Sequence, residues 1–259
     1  MALADDFDGL LIDLDGVVWI GREPVPGSAE TLVALLAAGK ELVFVTNNPG
    51  RPPAAYAERL GRMGVEVDPE RIVTAGMVAA RLAGEAANGG SAFVIGAEPL
   101  KEMVAATRTE LVVGEPAHSA GVVVVSGHRN FDYEELLTAK RALDAGAALV
   151  ATSRDPTLPM PGGEWPGTGS ILAAVETASG RTAQIGGKPE RHLFELALAR
   201  LGGAERVAMV GDRLSSDIVG GHNAGLTTIL VRSGTSSEDA GADGVAPDHV
   251  VADLAALLR

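Results

Sequence analysis

The chain contains no cysteine, which excludes disulfide frameworks, thiolate metal sites and cysteine nucleophiles together. Aromatic residues make up only 3% of it, too few for the stacking platforms that hold single-stranded nucleic acids. Positive charge is also scarce: 21 Lys and Arg face 34 Asp and Glu, a formal net charge of −13. A field of that sign opposes broad contact with nucleic acid or an anionic lipid surface, so neither is an expected partner. Phosphate can bind only where a local cation overturns the global field. No apolar run approaches the ~18 residues of a membrane-spanning helix. The first six residues are acidic where a signal peptide would be basic. A soluble, cytoplasmic protein is expected. The five histidines are scattered without metal-binding spacing, and neither Gly-x-Ser-x-Gly nor Gly-x4-Gly-Lys-Ser/Thr occurs.

What is present suffices for a large core, with 46% hydrophobic residues in a chain of 259. Short runs rich in branched residues, at 9–14, 41–46, 206–210 and 226–231, read as buried strands. Helical spacing with cap signals covers 28–38, from Ser28 to the stop at Gly39, and a second helix is expected over 53–63. Strand and helix at this rhythm predict a parallel α/β sheet of Rossmann-like type, with ligands beyond the carboxyl ends of its strands. The middle repeats the pattern, with strands near 92–95, 121–125 and 148–151 and helices near 98–105, 133–144 and 170–178. A Gly- and Pro-rich loop over 155–169 interrupts it. The expected architecture is one α/β unit inserted into another.

The strand ends carry the chemistry. Asp13-Leu14-Asp15-Gly16 closes the first strand. Two carboxylates about 4 Å apart repel by ~4 kcal/mol at a typical protein dielectric, and a cation is the obvious remedy. Alone, so short a motif fits an acidic turn equally well. The second strand ends in Thr46-Asn47-Asn48, a hydroxyl and amides ahead of a helix whose first N–H groups can hold phosphate. The strand at 206–210 runs into Gly211-Asp212, with Asp217 five residues later, and Lys188 stands in Gly186-Gly187-Lys188-Pro189. Each has a bland reading as a helix cap, a turn or a solvated lysine. Their joint occurrence at successive strand ends makes independent coincidence hard to sustain.

In order, these residues resemble the four motifs of the haloacid dehalogenase (HAD) superfamily. They are most similar to its subfamily IIA, the NagD-like or 4-nitrophenylphosphatase branch. Stretches at 13–19, 25–28, 44–48, 131–133, 166–170 and 211–214 resemble that branch, so the likeness spans most of the chain. The resemblance implies a magnesium-dependent phosphatase of small-molecule phosphomonoesters, working through an aspartyl-phosphate intermediate. Sugar, glycerol, glycolate or nucleotide phosphates fit, with 4-nitrophenyl phosphate as an artificial substrate. It assigns Asp13 as nucleophile, and Asp15 as the acid that protonates the leaving oxygen and then activates water. Thr46, Asn47 and Asn48 would hold the phosphoryl group, and Lys188 would offset charge. Asp13, the backbone carbonyl of Asp15 and Asp212 would bind Mg²⁺, with Asp217 acting through a water. The chemistry is coherent: a carboxylate attacking a phosphate dianion needs both partners neutralised, and an acyl phosphate divides hydrolysis into two steps.

The interval from Asp13 to Thr46 is too short for a folded insert, whereas that from Thr46 to Lys188 is ample. The expected division is a catalytic core of 1–76 and 184–259 with a C2-type α/β cap at 77–183, and dimers formed through the cap would fit the resemblance. Two departures concern selectivity. Pro49-Gly50 follows the paired asparagines where the branch has serine, and Ser126-Gly127-His128-Arg129 stands where it often carries aspartate. His128 reads as a packing or capping residue. Arg129 is the candidate reader of the leaving group, against the alternative of a surface ion pair with Asp132 or Glu134. Trp19 and Trp165 either line the cleft or anchor loops. A phosphomutase on the same core and a catalytically silent HAD-fold binding protein are the rival readings.

Overall fold

The computed structural model describes residues 2–160, 163–234 and 244–259. Six parallel strands form the larger sheet, in the order His249–Val251, Thr227–Val231, Val207–Gly211, Gly9–Asp13, Glu41–Thr46, Ile72–Thr74. Gly9–Asp13 lies at its centre with all five residues buried. Helices cover both faces, so such a strand reads as a continuous apolar run rather than an alternation. Its side chains still divide by parity. Leu11 joins Val43, Met209, Leu193 and Phe194 on one side, and Leu10 and Ile12 join Phe44, Val210, Leu32 and Leu60 on the other. Ile12 is level with both Phe44 and Val210, so Asp13, Thr46 and Gly211 emerge together at one edge of the sheet.

The middle of the chain builds a second parallel sheet, ordered Gln184–Ile185, Ala148–Ala151, Val122–Val125, Ser91–Ile95, Glu110–Leu111. Its last strand lies just beyond 183, where the sequence placed the end of the insert. Helix Ala75–Ala87 joins the two units. Its buried Val78, Ala79 and Leu82 belong to one apolar cluster with Val45 and Val73 of the larger sheet and Val122, Val124 and Val150 of the smaller. The carboxyl ends of both sheets face a single cavity of about 800 Å³, which Thr46 and Asp13 enter from one side and Ser126 and Ser153 from the other.

Three features differ from the sequence reading. The stretch expected as a loop over 155–169 contains an antiparallel hairpin, with Thr157 level with Pro166 and Leu158 with Trp165. Its prolines masked the period-two pattern, yet a two-stranded ribbon leaves half its N–H groups unpaired and so tolerates proline. The segment after Asp212 opens as a π-helical turn, Leu214–Ile218, before the short helix Val219–Asn223. The edge strand His249–Val251 is short and only half-buried, too weak a pattern to have been read. Among the described residues no helix is long and apolar enough to cross a membrane.

Candidate active site

Asp13 is the last residue of the central strand, and Lys188 meets it from the loop after Gln184–Ile185. Lys188 Nζ donates to Asp13 Oδ1 at 2.5 Å and to Asp217 Oδ1 at 2.6 Å. Exposure is only 5% at Asp13, 4% at Asp212, 1% at Asp217 and 2% at Lys188, so none of these charges is screened by bulk water. Carboxylate oxygens of Asp13, Asp212 and Asp217 lie within 4.8 Å of one another. Burial is the main cause that pushes the Asp13 carboxyl well above its usual range. The neighbouring Asp217 and Asp212 push the same way, against the pull of Lys188. Burial disfavours the Lys188 ammonium, but Asp13 and Asp217 outweigh it and hold the group protonated above its usual range.

Three buried carboxylates crowd around one ammonium. A compact, oxygen-only donor set of this kind fits a hard divalent cation such as Mg²⁺. Local backbone geometry makes the cluster this tight. Gly16 has φ +98°, and a Cβ there would stand 2.2 Å from Asp212 Oδ2. A Cβ at Gly211 would stand 2.2 Å from that of Asp217. Only glycine allows strand ends and carboxylates to approach so closely.

Asp15 sits beside this cluster in a different environment. Its Oδ1 accepts from Trp19 Nε1 at 3.0 Å, while its Oδ2 is buried and finds no hydrogen-bond partner among the described residues. Burial pushes its carboxyl up, more than the Trp19 bond and the nearby Arg59 charge pull it down. A carboxyl with one fixed oxygen and one unpaired, covered oxygen favours carrying a proton on the latter. Trp19 itself is wholly buried. Tyr56 stacks parallel to it with ring centroids 6.3 Å apart, and the Arg59 guanidinium lies 3.8 Å above it. Of the two readings the sequence left for Trp19, the structure gives a brace that holds Asp15.

On the second strand end, Thr46 is buried and its hydroxyl accepts from the Asn48 amide at 3.0 Å. Asn48 Oδ1 in turn accepts from Gly50 N at 3.0 Å, closing a tight turn. Thr46 to Gly50 line the cavity, and the following helix does not begin until Pro53. Pro52 and Pro53 lack N–H groups at the helix start, and it is the preceding loop that lines the cavity.

The opposite wall comes from the second unit. Arg129 and Trp165 both line the cavity, and the Arg129 guanidinium stacks 4.0 Å over the Trp165 ring. Asp132, offered by sequence as an ion partner for Arg129, instead caps helix Tyr133–Asp144 by accepting from Glu135 N. His128 lines the cavity as well and bonds Glu135 Oε2 through Nε2 at 2.9 Å. One cavity thus gathers Asp13, Asp15, Thr46, Asn47, Asn48, Arg129, Lys188, Asp212 and Asp217. Sequence reasoning missed Asp155, which bonds Asn47 Nδ2 at 2.9 Å. The available signal was the run Thr152-Ser153-Arg154-Asp155, a polar strand end following Ala148–Ala151 just as Thr46-Asn47-Asn48 follows its own strand.

The sequence matches a haloacid dehalogenase-like hydrolase profile over residues 10–110 and a HAD-hydrolase-like profile over 185–257. It is 38% identical to chronophin of Mus musculus over 269 residues, covering 97% of this chain and 92% of the relative. The chain belongs to the haloacid dehalogenase-like hydrolase family. Among solved structures, a glycerol phosphate phosphatase of Mycobacterium tuberculosis in complex with magnesium superposes with a TM-score of 0.89 at 36% identity. The match covers all of this chain and 78% of the other. The p-nitrophenyl phosphatase of Archaeoglobus fulgidus superposes with a TM-score of 0.87 at 32% identity, covering 97% and 98%. As a member of this family the chain is a hydrolase, and its α/β fold is that of its relatives.

Proposed function

We propose that this chain is a magnesium-dependent phosphatase that hydrolyses a small phosphomonoester through a phosphoryl group carried on Asp13. The carrying observation is the buried set Asp13, Asp212, Asp217 and Lys188, whose clustered carboxylate oxygens suit a divalent cation and which lies beside Asp15 with its unpaired Oδ2. Magnesium held by the three carboxylates and the Asp15 carbonyl would neutralise charge between the Asp13 carboxylate and the phosphoryl oxygens.

Lys188 fixes one Asp13 oxygen and offsets its charge while the carboxylate attacks phosphorus. The phosphorus–leaving-oxygen bond breaks as the Asp13–phosphorus bond forms, and Asp15 gives its proton to the departing oxygen. Asp15, now a carboxylate steadied by Trp19, takes a proton from water as that water attacks phosphorus and releases Asp13. The Thr46 hydroxyl and the backbone N–H of Asn47 would bind the transferring oxygens.

Relatives named for glycerol phosphate and nitrophenyl phosphate support a small alcohol or phenol as leaving group. Arg129, stacked on Trp165 across the cavity, is the residue we assign to reading it. We also read 1–76 with 184–259 as the catalytic core, 77–183 as its cap, a cytoplasmic location, and a dimer through the cap. Light scattering, which reads the mass in solution, tests the dimer. The function itself is tested by incubating the protein with 4-nitrophenyl phosphate and a panel of metabolite phosphates, with magnesium or with chelator. Phosphate release that needs magnesium and no sugar diphosphate is expected. Full turnover in excess chelator, or none with any ester, overturns the assignment.

A further inference from the structure

The side chain of Asn47 has no donor left for a substrate. An amide offers two N–H groups and one carbonyl oxygen to strong partners. Here Nδ2 donates to Asp155 Oδ2 at 2.9 Å and to the Lys188 carbonyl at 3.0 Å, while Oδ1 accepts from Lys188 N at 2.7 Å. The amide therefore clamps the backbone of the residue whose ammonium sits between Asp13 and Asp217, and its remaining bond reaches the second unit. Gly187 shows how closely these parts meet, since a Cβ there would stand 2.4 Å from Asn47 Oδ1 and 2.5 Å from the Thr152 carbonyl.

Asp155 is well placed to control that clamp. It follows strand Ala148–Ala151 of the second sheet, and its backbone carbonyl accepts from Gly169 N at 2.8 Å, fixing it to the start of helix Thr168–Ser179. Its side chain crosses to the core, where Oδ2 takes the Asn47 hydrogen and Oδ1 lies 3.8 Å from Arg213 Nη1. An amide can flip, and with carbonyl and N–H of one residue both bound to it, only one orientation satisfies all partners. A carboxylate accepts but never donates, so Asp155 selects that orientation.

We propose that Asp155 is a positioning residue: by fixing the Asn47 amide it couples the seating of the second unit to the placement of Lys188. Asp155 lines the cavity, and its proposed effect on Lys188 runs through Asn47. Only the kinetic readout rests on the phosphatase reading above.

The experiment compares Asp155→Ala, which removes the acceptor, with Asp155→Asn, which keeps an acceptor oxygen for Asn47. In Asp155→Ala, kcat on 4-nitrophenyl phosphate should fall about ten- to a hundredfold, the loss of one charge-assisted bond, with KM changed less than about threefold. Asp155→Asn should recover to within about fivefold of wild type. Asn47→Ala/Asp155→Ala should be no worse than Asn47→Ala by more than about twofold, since both remove one linkage. Hydrogen exchange of the Lys188 amide, read without turnover, should accelerate at least about tenfold in Asp155→Ala and remain near wild type in Asp155→Asn. If the alanine variant does not fold, Asp155→Ser, too short to reach Asn47, is read in the same way. Unchanged exchange at Lys188, equal losses in the alanine and asparagine variants, or multiplying losses in the double variant would overturn the proposal. A wild-type protein inert toward every ester would sink the phosphatase reading while the exchange comparison still decided the linkage.

Discussion

The two walls of the cavity are built from opposite materials. The wall from the larger sheet is buried charge: Asp13, Asp212, Asp217 and Lys188, none of them more than 5% exposed. The wall from the second unit is a layer of neutral hydroxyls, Ser126, Thr152 and Thr168, bonded to one another, with apolar Leu158 and Ile171 and the exposed Arg129–Trp165 stack beyond. Buried charges are costly unless each has a counter-charge or a ligand, and the clustered carboxylates of the first wall suit a bound cation. The second wall adds one carboxylate, Asp155, bonded to Asn47, to its hydroxyl and apolar surface. On the proposal above, the first wall would read the transferring group and the second the leaving group.

The largest test of this contrast is Asp13→Asn. Losing the nucleophile should cost at least ~4 kcal/mol of transition-state stabilisation, about a thousandfold in kcat, by the same factor for every substrate. The protein should remain folded, because neutralising one of three crowded carboxylates relieves repulsion. Steady-state kinetics on three chemically distinct esters check this, and a substrate-dependent loss would break the division of labour.

The next test separates charge from fold. Burial and the adjacent acids raise the Asp13 carboxyl in the folded protein above its unfolded value. The folded state then binds this proton more tightly, so metal-free stability should fall as pH rises from the unfolded carboxyl range through the raised folded one. Lys188, raised above its usual range, stays protonated across that window and does not alter the sign. Thermal unfolding in chelator should show a lower Tm at pH 8 than at pH 5.5, and magnesium should restore more stability at pH 8. A flat metal-free profile would mean that the three acids do not repel as their geometry requires.

The difference between the walls also explains what the sequence disclosed. Strands were legible because burial on both faces leaves short continuous runs rich in branched residues, such as 9–13 and 122–125, bounded by turn signals. The charged wall was legible because Asp13, Asp212 and Lys188 stand in apolar or glycine-rich surroundings where nothing structural calls for charge. The second wall was not. Serines and threonines at 126, 152 and 168 are ordinary loop residues until the fold brings them together, and Asp155 meets Asn47 from 108 positions away. The stacking of Arg129 on Trp165 depends on a hairpin whose prolines conceal it.

Asp15 stands where the walls meet, and its substitution should depend on the leaving group. Asp15→Asn cannot supply a proton, so an alkyl phosphate should lose about a hundred- to ten-thousandfold. 4-Nitrophenyl phosphate should lose at least tenfold less, because nitrophenolate departs with little help. Burial raises the Asp15 carboxyl, so the wild-type enzyme keeps its acid protonated to higher pH than an exposed aspartate would. The alkaline limb for alkyl phosphates should accordingly vanish in the variant. Equal losses on both substrates would remove Asp15 from the acid's role.

The smallest effects belong to Arg129 and Trp165 and bear on specificity. An arginine beside the leaving group contributes charge-assisted hydrogen bonds worth about 1.5–3 kcal/mol, so Arg129→Ala should raise KM for the best metabolite about ten- to a hundredfold. 4-Nitrophenyl phosphate offers no second hydroxyl or anionic group and should be nearly unaffected. Trp165 sharpens the point. Its ring does not need to touch substrate: at 4.0 Å from the guanidinium it holds Arg129 in one orientation through a contact worth about 0.5–1 kcal/mol at an exposed site. Trp165→Leu keeps bulk but loses the π face, and should raise KM for the same metabolite only about two- to fivefold, leaving kcat unchanged. In an Arg129→Ala background the tryptophan substitution should add nothing, because the cation it orients is gone. An independent effect of Trp165→Leu in that background would mean that the ring itself packs on the leaving group, and the reader of this wall would be the aromatic rather than the cation.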